Sequence, residues 1–217
     1  MKVKICGITN LDDALVAVEA GADYLGFIFY PPSKRTTNVA DVQGMVAQLR
    51  QLPHCPLLVG VFVDETAVYM ADVLDKCQLD LAQLSGNEVP KLIGDPESPI
   101  YGRSYKALRP TSLAEAQTDA EWFQPPQMAP GQPSLLLETY HPTLHGGTGQ
   151  TGDWHIGAQL AQETPGIMLA GGLNADNVAR AVAQVQPFAI DVASGVEASP
   201  GKKDHDRLRA FIANARL

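Results

Sequence analysis

VKICGITNLDDALVAVEAGADYLGFIF, residues 3–29, holds one complete structural unit. VKICGI from Val3 is a short, mostly apolar run of strand length. Leu11, Ala14, Leu15 and Val18 then recur at i, i+3, i+4 and i+7, the spacing of one face of an α-helix. Gly21 follows where a left-handed C-cap would close that helix. YLGFIF from Tyr24 begins the next apolar run. The order is strand, helix, strand.

The unit recurs along the chain. LLVGVFV from Leu57, LAQL from Leu81, YKALR from Tyr105, SLLLE from Ser134, IMLAG from Ile167 and FAIDVAS from Phe188 complete a set of eight runs. They do not alternate strictly, so they read as strands buried on both faces. Helical faces recur at Val42/Met45/Val46/Leu49, Ala67/Met70/Ala71/Leu74, Val178/Ala181/Val182/Val185 and Leu208/Phe211/Ile212/Ala215. Ser112 and Glu115 have capping-box spacing, and Asn174 is placed to cap the seventh helix. The fourth and sixth helices are weakly marked, and Pro125 to Pro133 reads as an extended loop. Parallel strands with right-handed crossovers predict a single-domain (β/α)8 TIM barrel over residues 1–217. Periodicity leaves a doubly wound open sheet as the alternative.

Composition excludes several function classes. At 45% hydrophobic and 18% charged, the chain suits a packed globule. Its longest apolar run, Leu57 to Val63, is too short to cross a bilayer, and MKVKICG lacks a signal-peptide core. The expectation is therefore a cytoplasmic protein with no membrane partner. Three cysteines, Cys6, Cys55 and Cys77, predict reduced thiols. A net charge of -8 with no basic stripe argues against nucleic acid. Lys34-Arg35 and Lys202-Lys203 read as solvated surface pairs or as contacts for a small anion.

In a barrel the chemistry belongs at the carboxyl ends of the strands. Those ends carry Cys6-Gly7, Ser33-Lys34-Arg35, Gln83 with Ser85-Gly86, Glu138, Gly171-Gly172, and Asp191 with Ser194-Gly195. A cysteine in an apolar strand is usually a core residue, but Cys6 lies at the mouth beside glycine. A carboxylate closing an apolar strand needs a partner or a function, since an unpaired buried charge is costly. Glycine turns after strands seven and eight let backbone amides surround an anion, the recurrent phosphate position of this fold.

Between them lies HGGTGQTGDW, residues 145–154, whose GTGQTG fits the G-x-G-x-x-G spacing of a dinucleotide loop. That motif should follow its strand directly and open a helix, whereas Gly147 lies nine residues beyond Glu138. The glycines read better as a lid over the end of strand six. His141, His145 and His155 lack acidic or cysteine partners at ligand spacing, so no metal is expected.

An ordered series of motifs runs the length of the chain. KICGIT (Lys4–Thr9), GFIFYPPSKR (Gly26–Arg35), VGVFV (Val59–Val63), QLSG (Gln83–Gly86), GGTGQTGDW (Gly146–Trp154), AGGLN (Ala170–Asn174) and DVASGVE with PGKKDHD (Asp191–Asp206) resemble the phosphoribosylanthranilate isomerase family. The resemblance implies the barrel and an Amadori rearrangement in tryptophan biosynthesis, with a small anionic sugar-phosphate substrate and no cofactor. It implies Cys6 as general base and Glu138 as general acid. Arg35, Gln83 and Asp191 would contact substrate, Arg35 at the anthranilate carboxylate. Gly171, Gly172, Ser194 and Gly195 would hold phosphate. The assembly expected is a monomer or homodimer. Two departures stand out: Glu138 where the family typically has aspartate, and Ser85 where it commonly has histidine. The chemistry asks for a thiol tuned down by neighbouring positive charge and for Glu138 buried so that it keeps its proton. The alternatives are a histidine-pathway aminoaldose isomerase, which resembles this chain but uses two carboxylates, and a non-catalytic phosphosugar-binding barrel.

Overall fold

A computed structural model describes residues 1–138 and 154–217. The lid reading of the glycine-rich stretch, with His141 and His145, lies outside the described residues. The eight expected strands are β1 (Lys2–Cys6), β2 (Tyr24–Ile28), β3 (Leu57–Phe62), β4 (Leu81–Leu84), β5 (Ser104–Leu108), β6 (Leu135–Glu138), β7 (Ile167–Ala170) and β8 (Ala189–Val192). All pair in parallel with their sequence neighbours, and β1 closes on β8 from Lys2↔Ala189 to Ile5↔Val192. The sheet is a closed barrel, and the open-sheet alternative is excluded.

The helices are α1 (Leu11–Glu19), α2 (Val39–Leu49), α3 (Ala67–Lys76), α4 (Lys91–Gly94), α5 (Leu113–Phe123), α6 (Trp154–Glu163), α7 (Val178–Val185) and α8 (His205–Asn214). The weak marking of the fourth is explained: α4 is a single turn. Side chains Asn10, Asn38, Thr66, Ser112 and Asp204 cap α1, α2, α3, α5 and α8. Gly21 closes α1 with φ +93°, and a Cβ there would stand 2.8 Å from the Arg216 guanidinium. Asn174 acts one turn earlier than expected. Its Oδ1 accepts from the amides of Asp176 and Asn177, closing the turn that leads into α7.

Two apolar layers follow from the period-two alternation of each strand. Outward residues such as Val3, Ile5, Leu25 and Leu169 pack under the helices. Inward residues Tyr24, Val59, Leu81, Tyr105, Leu136, Met168 and Ala189 fill the barrel. Continuing the inward parity one step toward the mouth reaches Cys6, Gln83, Glu138 and Asp191. The interior packing thus aims these groups at one opening.

After β8 the chain makes a 3-10 turn (Ser194–Val196) and then a hairpin, β9 (Glu197–Ser199) with β10 (Lys202–Lys203). This hairpin corrects the surface reading of Lys202-Lys203. It turns Lys203 inward, 3% exposed, while Lys202 stays outside. No described helix is long and apolar enough to cross a membrane.

Candidate active site

A cavity of about 450 Å³ occupies the carboxyl-terminal mouth of the barrel. The residues given catalytic, substrate or phosphate roles from sequence line it: Cys6, Arg35, Gln83, Glu138, Gly171, Gly172, Asp191, Ser194 and Gly195, whereas Gly7, Lys34 and Gly86 do not.

Cys6 ends β1, buried. Gly26 on the neighbouring strand makes its space: a Cβ there would come within 2.8 Å of the thiol sulfur and 3.2 Å of Lys4 Nζ. Lys4 lies one inward position below, fully buried, and donates to Asp191 Oδ1 at 2.8 Å. Burial, the largest influence on Lys4, lowers its pKa, but Asp191, Cys6 and Tyr105 outweigh burial and raise it above the ordinary lysine value. The Cys6 thiol goes the other way from the sequence expectation. Burial pushes its pKa up, and the opposing pull of Lys4 and Lys203 does not cancel that. Neighbouring cations are present, as the chemistry asked, yet desolvation wins.

Arg35 enters from the loop after β2. Its Nε and a terminal nitrogen donate to the two carboxylate oxygens of Glu197 at 2.7 and 2.6 Å, a bidentate fork. The solvated-pair reading of Lys34-Arg35 is therefore corrected for Arg35, whose side chain is 24% exposed. Lys203 Nζ donates to Glu197 Oε1 at 3.1 Å and to the carbonyls of Cys6 and Ala193 at 2.6 and 3.0 Å. One buried ammonium thus ties the ends of β1 and β8 to the Arg35 anchor. Gly7, φ +73°, lets Arg35 pass: a Cβ would meet its Cδ at 2.8 Å.

Gln83 is held between Tyr105, whose hydroxyl donates to its Oε1 at 3.0 Å, and Ser85, whose Oγ accepts from its Nε2 at 3.1 Å. Gly171 and Gly172 have φ +96° and +63°, conformations that favour glycine. Gly195 presses against the preceding turn, where a Cβ would overlap the Leu173 carbonyl oxygen. The two glycine turns therefore touch through backbone alone, forming one continuous wall.

Glu138 differs from its expected setting. It is not buried: its side chain is 40% exposed, and Oε2 accepts from Arg109 Nε at 2.6 Å. Arg109 follows β5 in the same inward parity as Tyr105 and Ala107, and it lines the cavity. Lys4, Gly26, Arg109, Glu197 and Lys203 were not selected from sequence. Parity could have selected Lys4 and Arg109. Gly26, Glu197 and Lys203 act through contacts between remote segments.

Residues 3–214 match the family model described as N-(5'phosphoribosyl)anthranilate (PRA) isomerase. The chain is also 42% identical to N-(5'-phosphoribosyl)anthranilate isomerase of Pelobacter propionicus, covering 100% of this chain and 96% of that one. The chain belongs to the phosphoribosylanthranilate isomerase family. It superimposes on the Thermotoga maritima phosphoribosyl anthranilate isomerase crystal structure with a TM-score of 0.86, at 38% identity, covering 100% and 98% of the two chains. A further phosphoribosyl anthranilate isomerase structure, in complex with reduced 1-(o-carboxyphenylamino)-1-deoxyribulose 5-phosphate, matches with a TM-score of 0.80 at 36% identity, covering 100% and 98%. The chain is thus an isomerase of tryptophan biosynthesis acting on N-(5'-phosphoribosyl)anthranilate. The histidine-pathway and non-catalytic alternatives fall away.

Proposed function

We propose that this isomerase divides its two proton transfers between Cys6 and Glu138. Glu138 donates a proton to the furanose ring oxygen. The C1–O bond breaks, the ring opens, and the anthranilate nitrogen lone pair forms a protonated Schiff base at C1. Cys6, as thiolate, then takes the C2 proton. The C2–H electron pair becomes a C1=C2 bond, and the C=N electrons return to nitrogen, giving an enolamine. Tautomerisation moves the C2 hydroxyl proton to C1 and leaves the ketone. C2 is oxidised from carbinol to ketone and C1 reduced from imine to amine by the same electron pair, so no external oxidant or reductant is needed.

The observation that carries this reading is the shared cavity: Cys6 and Glu138 approach one opening from β1 and β6, with the glycine wall of β7 and β8 beside them. Phosphate at Gly171-Gly172 and Ser194-Gly195 would anchor the sugar between acid and base. Asp191, held by Lys4, would face the substrate amine, Gln83 would contact the substrate beside it, and Arg35 would address the anthranilate carboxylate. A protonated Schiff base next to Cys6 favours the thiolate, offsetting the burial that opposes it. The steps ask for no metal or organic cofactor.

Turnover of Cys6→Ser and Glu138→Ala on freshly made substrate tests the assignment. Each should lose on the order of 10²–10⁴ in kcat. Near wild-type turnover by either variant removes that residue from its role. The Thermotoga maritima relative is described both as dimeric and as generated monomers. The same two states are proposed for this chain, and sedimentation separates them.

A further inference from the structure

We propose that Lys106 and Glu88 are positioning residues for the substrate: the buried pair fixes the backbone on both sides of Ser85, so that the Ser85 hydroxyl donates to a substrate oxygen. The inference rests on the reading of the cavity above.

Lys106 stands where the fold asks for an apolar residue. It falls between the inward Tyr105 and Ala107, so it points out of β5 into the layer beneath the helices, and it is buried there with Glu88 from the loop after β4. Lys106 Nζ donates to the Leu84 carbonyl at 3.3 Å, to the Gly86 carbonyl at 2.6 Å and to Glu88 Oε2 at 3.0 Å, which uses all three of its protons. Glu88 Oε1 accepts from the amides of Asp64 at 3.0 Å and Gly86 at 3.1 Å. The Asp64 carboxylate accepts from the Asn87 amide, and glycine at 86 leaves it room, since a Cβ there would overlap that carboxylate. The ends of β3, β4 and β5 are thus joined through one paired ammonium and carboxylate.

Replacing a buried ion pair by apolar side chains of like volume is often neutral or stabilising, so stability alone does not account for this one. Its contacts say what it holds. The Leu84 carbonyl belongs to the peptide before Ser85, and the Gly86 amide belongs to the peptide after it. The pair therefore sets both backbone dihedrals of Ser85, whose own amide is bonded to the Phe62 carbonyl at 2.8 Å. Ser85 lines the cavity, and its Oγ accepts from Gln83 Nε2 at 3.1 Å. The Tyr105 hydroxyl on Gln83 Oε1 fixes the direction of that bond, so Ser85 keeps its own proton to donate into the cavity. The same device stands across the barrel. Lys203 donates to the carbonyls of Cys6 and Ala193 and to Glu197, where β8 meets β1. One clamp serves the base, and the other serves the rim that carries Gln83 and Ser85.

The test is a double-mutant cycle read by calorimetric titration of reduced 1-(o-carboxyphenylamino)-1-deoxyribulose 5-phosphate. Ser85→Ala should weaken binding about 3–10-fold, the worth of one neutral hydrogen bond. Lys106→Met/Glu88→Gln, which removes both charges at nearly constant volume, should weaken it by a similar factor, on the order of 3–10-fold. All three substitutions together should bind within about twofold of either, because the clamp acts through Ser85. In turnover the loss should fall on KM and spare kcat. If Lys106→Met/Glu88→Gln does not fold, Glu88→Asp takes its place in the cycle, keeping both charges but shortening the acid by one methylene, with the same pattern expected. Losses that multiply, no loss from Ser85→Ala, or wild-type binding by the clamp variant each overturn the proposal, and so does a fall in kcat at constant KM. The cycle reads binding and not proton transfer, so it stands even if turnover removes Cys6 or Glu138 from its role. Wild type that does not bind the ligand would bring down the reading of the cavity, and this proposal with it.

Discussion

The base side of the mouth and the acid side hold their charges by different means. Around Cys6, Lys4, Asp191, Glu197 and Lys203 are buried and each is bonded to at least one of the others or to backbone, and the partly exposed Arg35 forks onto Glu197. Around Glu138, the single described ion pair is about half exposed, at 55% for Arg109 and 40% for Glu138. Buried pairs are rigid because breaking one leaves an uncompensated charge in a poor solvent. An exposed pair resists little, because water replaces whatever it loses. Geometry is therefore fixed around Cys6 and free to change around Glu138. The proton at C2 must be met by a base held in place, whereas the acid stands on a rim that can still adjust.

The comparison breaks first at Lys4. Lys4→Met leaves Asp191 without its ammonium, and denaturant unfolding should show a loss of about 3–5 kcal/mol. Arg109→Met on the open side should change stability by less than about 0.5 kcal/mol. Equal losses on the two sides would dissolve the distinction.

Glu197→Gln comes next, with an expected loss of about 1–3 kcal/mol at neutral pH and a higher KM from a loosened Arg35. Burial, the largest influence on Glu197, pushes its pKa up, but Arg35 and Lys203 outweigh burial and hold it below the ordinary glutamate value. A folded value below the unfolded one stabilises fully above the unfolded value, and that stabilisation is lost as pH falls through the folded value. The gap between wild-type and Glu197→Gln melting temperatures should therefore close in acid. A gap that stays constant down to pH 3, on the order of a unit below a free glutamate, would show that Glu197 is not held by charge.

The raised Cys6 thiol gives a third expectation. With the base mostly protonated at neutral pH, kcat/KM should climb by up to about tenfold per pH unit into the alkaline range, beyond the titration of a free thiol. A plateau reached below pH 8, near or under the free-thiol value, would mean the cations win in solution. The smallest effect belongs to the open side. Glu138→Asp should keep kcat within roughly tenfold, since the loose rim can adjust to a shorter arm. A gain would mark the extra methylene as a handicap, while a loss of a hundredfold or more would show a site as finely placed as the base.

Much of this was legible in the sequence for physical reasons that differ by element. Barrel strands buried on both faces need continuous apolar runs, and the helices over them need one apolar stripe, so β1 to β8 could be read directly. Strand ends face the mouth by topology, which placed Cys6, Gln83, Glu138 and Asp191 before any coordinates. Pairing was not legible. Lys4 meets Asp191 across 187 residues and Arg35 meets Glu197 across 162. No local pattern carries such contacts. Lys203 misled for the same reason: beside Lys202 it has the composition of a surface pair, and only the hairpin turns it inward. The state of Cys6 failed at the level of magnitude, because proximity of cations was foreseen and the depth of burial was not.

A crystal structure with reduced 1-(o-carboxyphenylamino)-1-deoxyribulose 5-phosphate bound would show whether the thiol and the carboxyl reach one sugar. The Cys6 sulfur should lie within about 3.5 Å of C2, and a Glu138 oxygen within hydrogen-bond reach of the oxygen on C4, the former ring oxygen. The phosphate should lie on the amides around Gly172 and Gly195. A ligand seated there with either the thiol or the Glu138 carboxyl out of contact would contradict that arrangement.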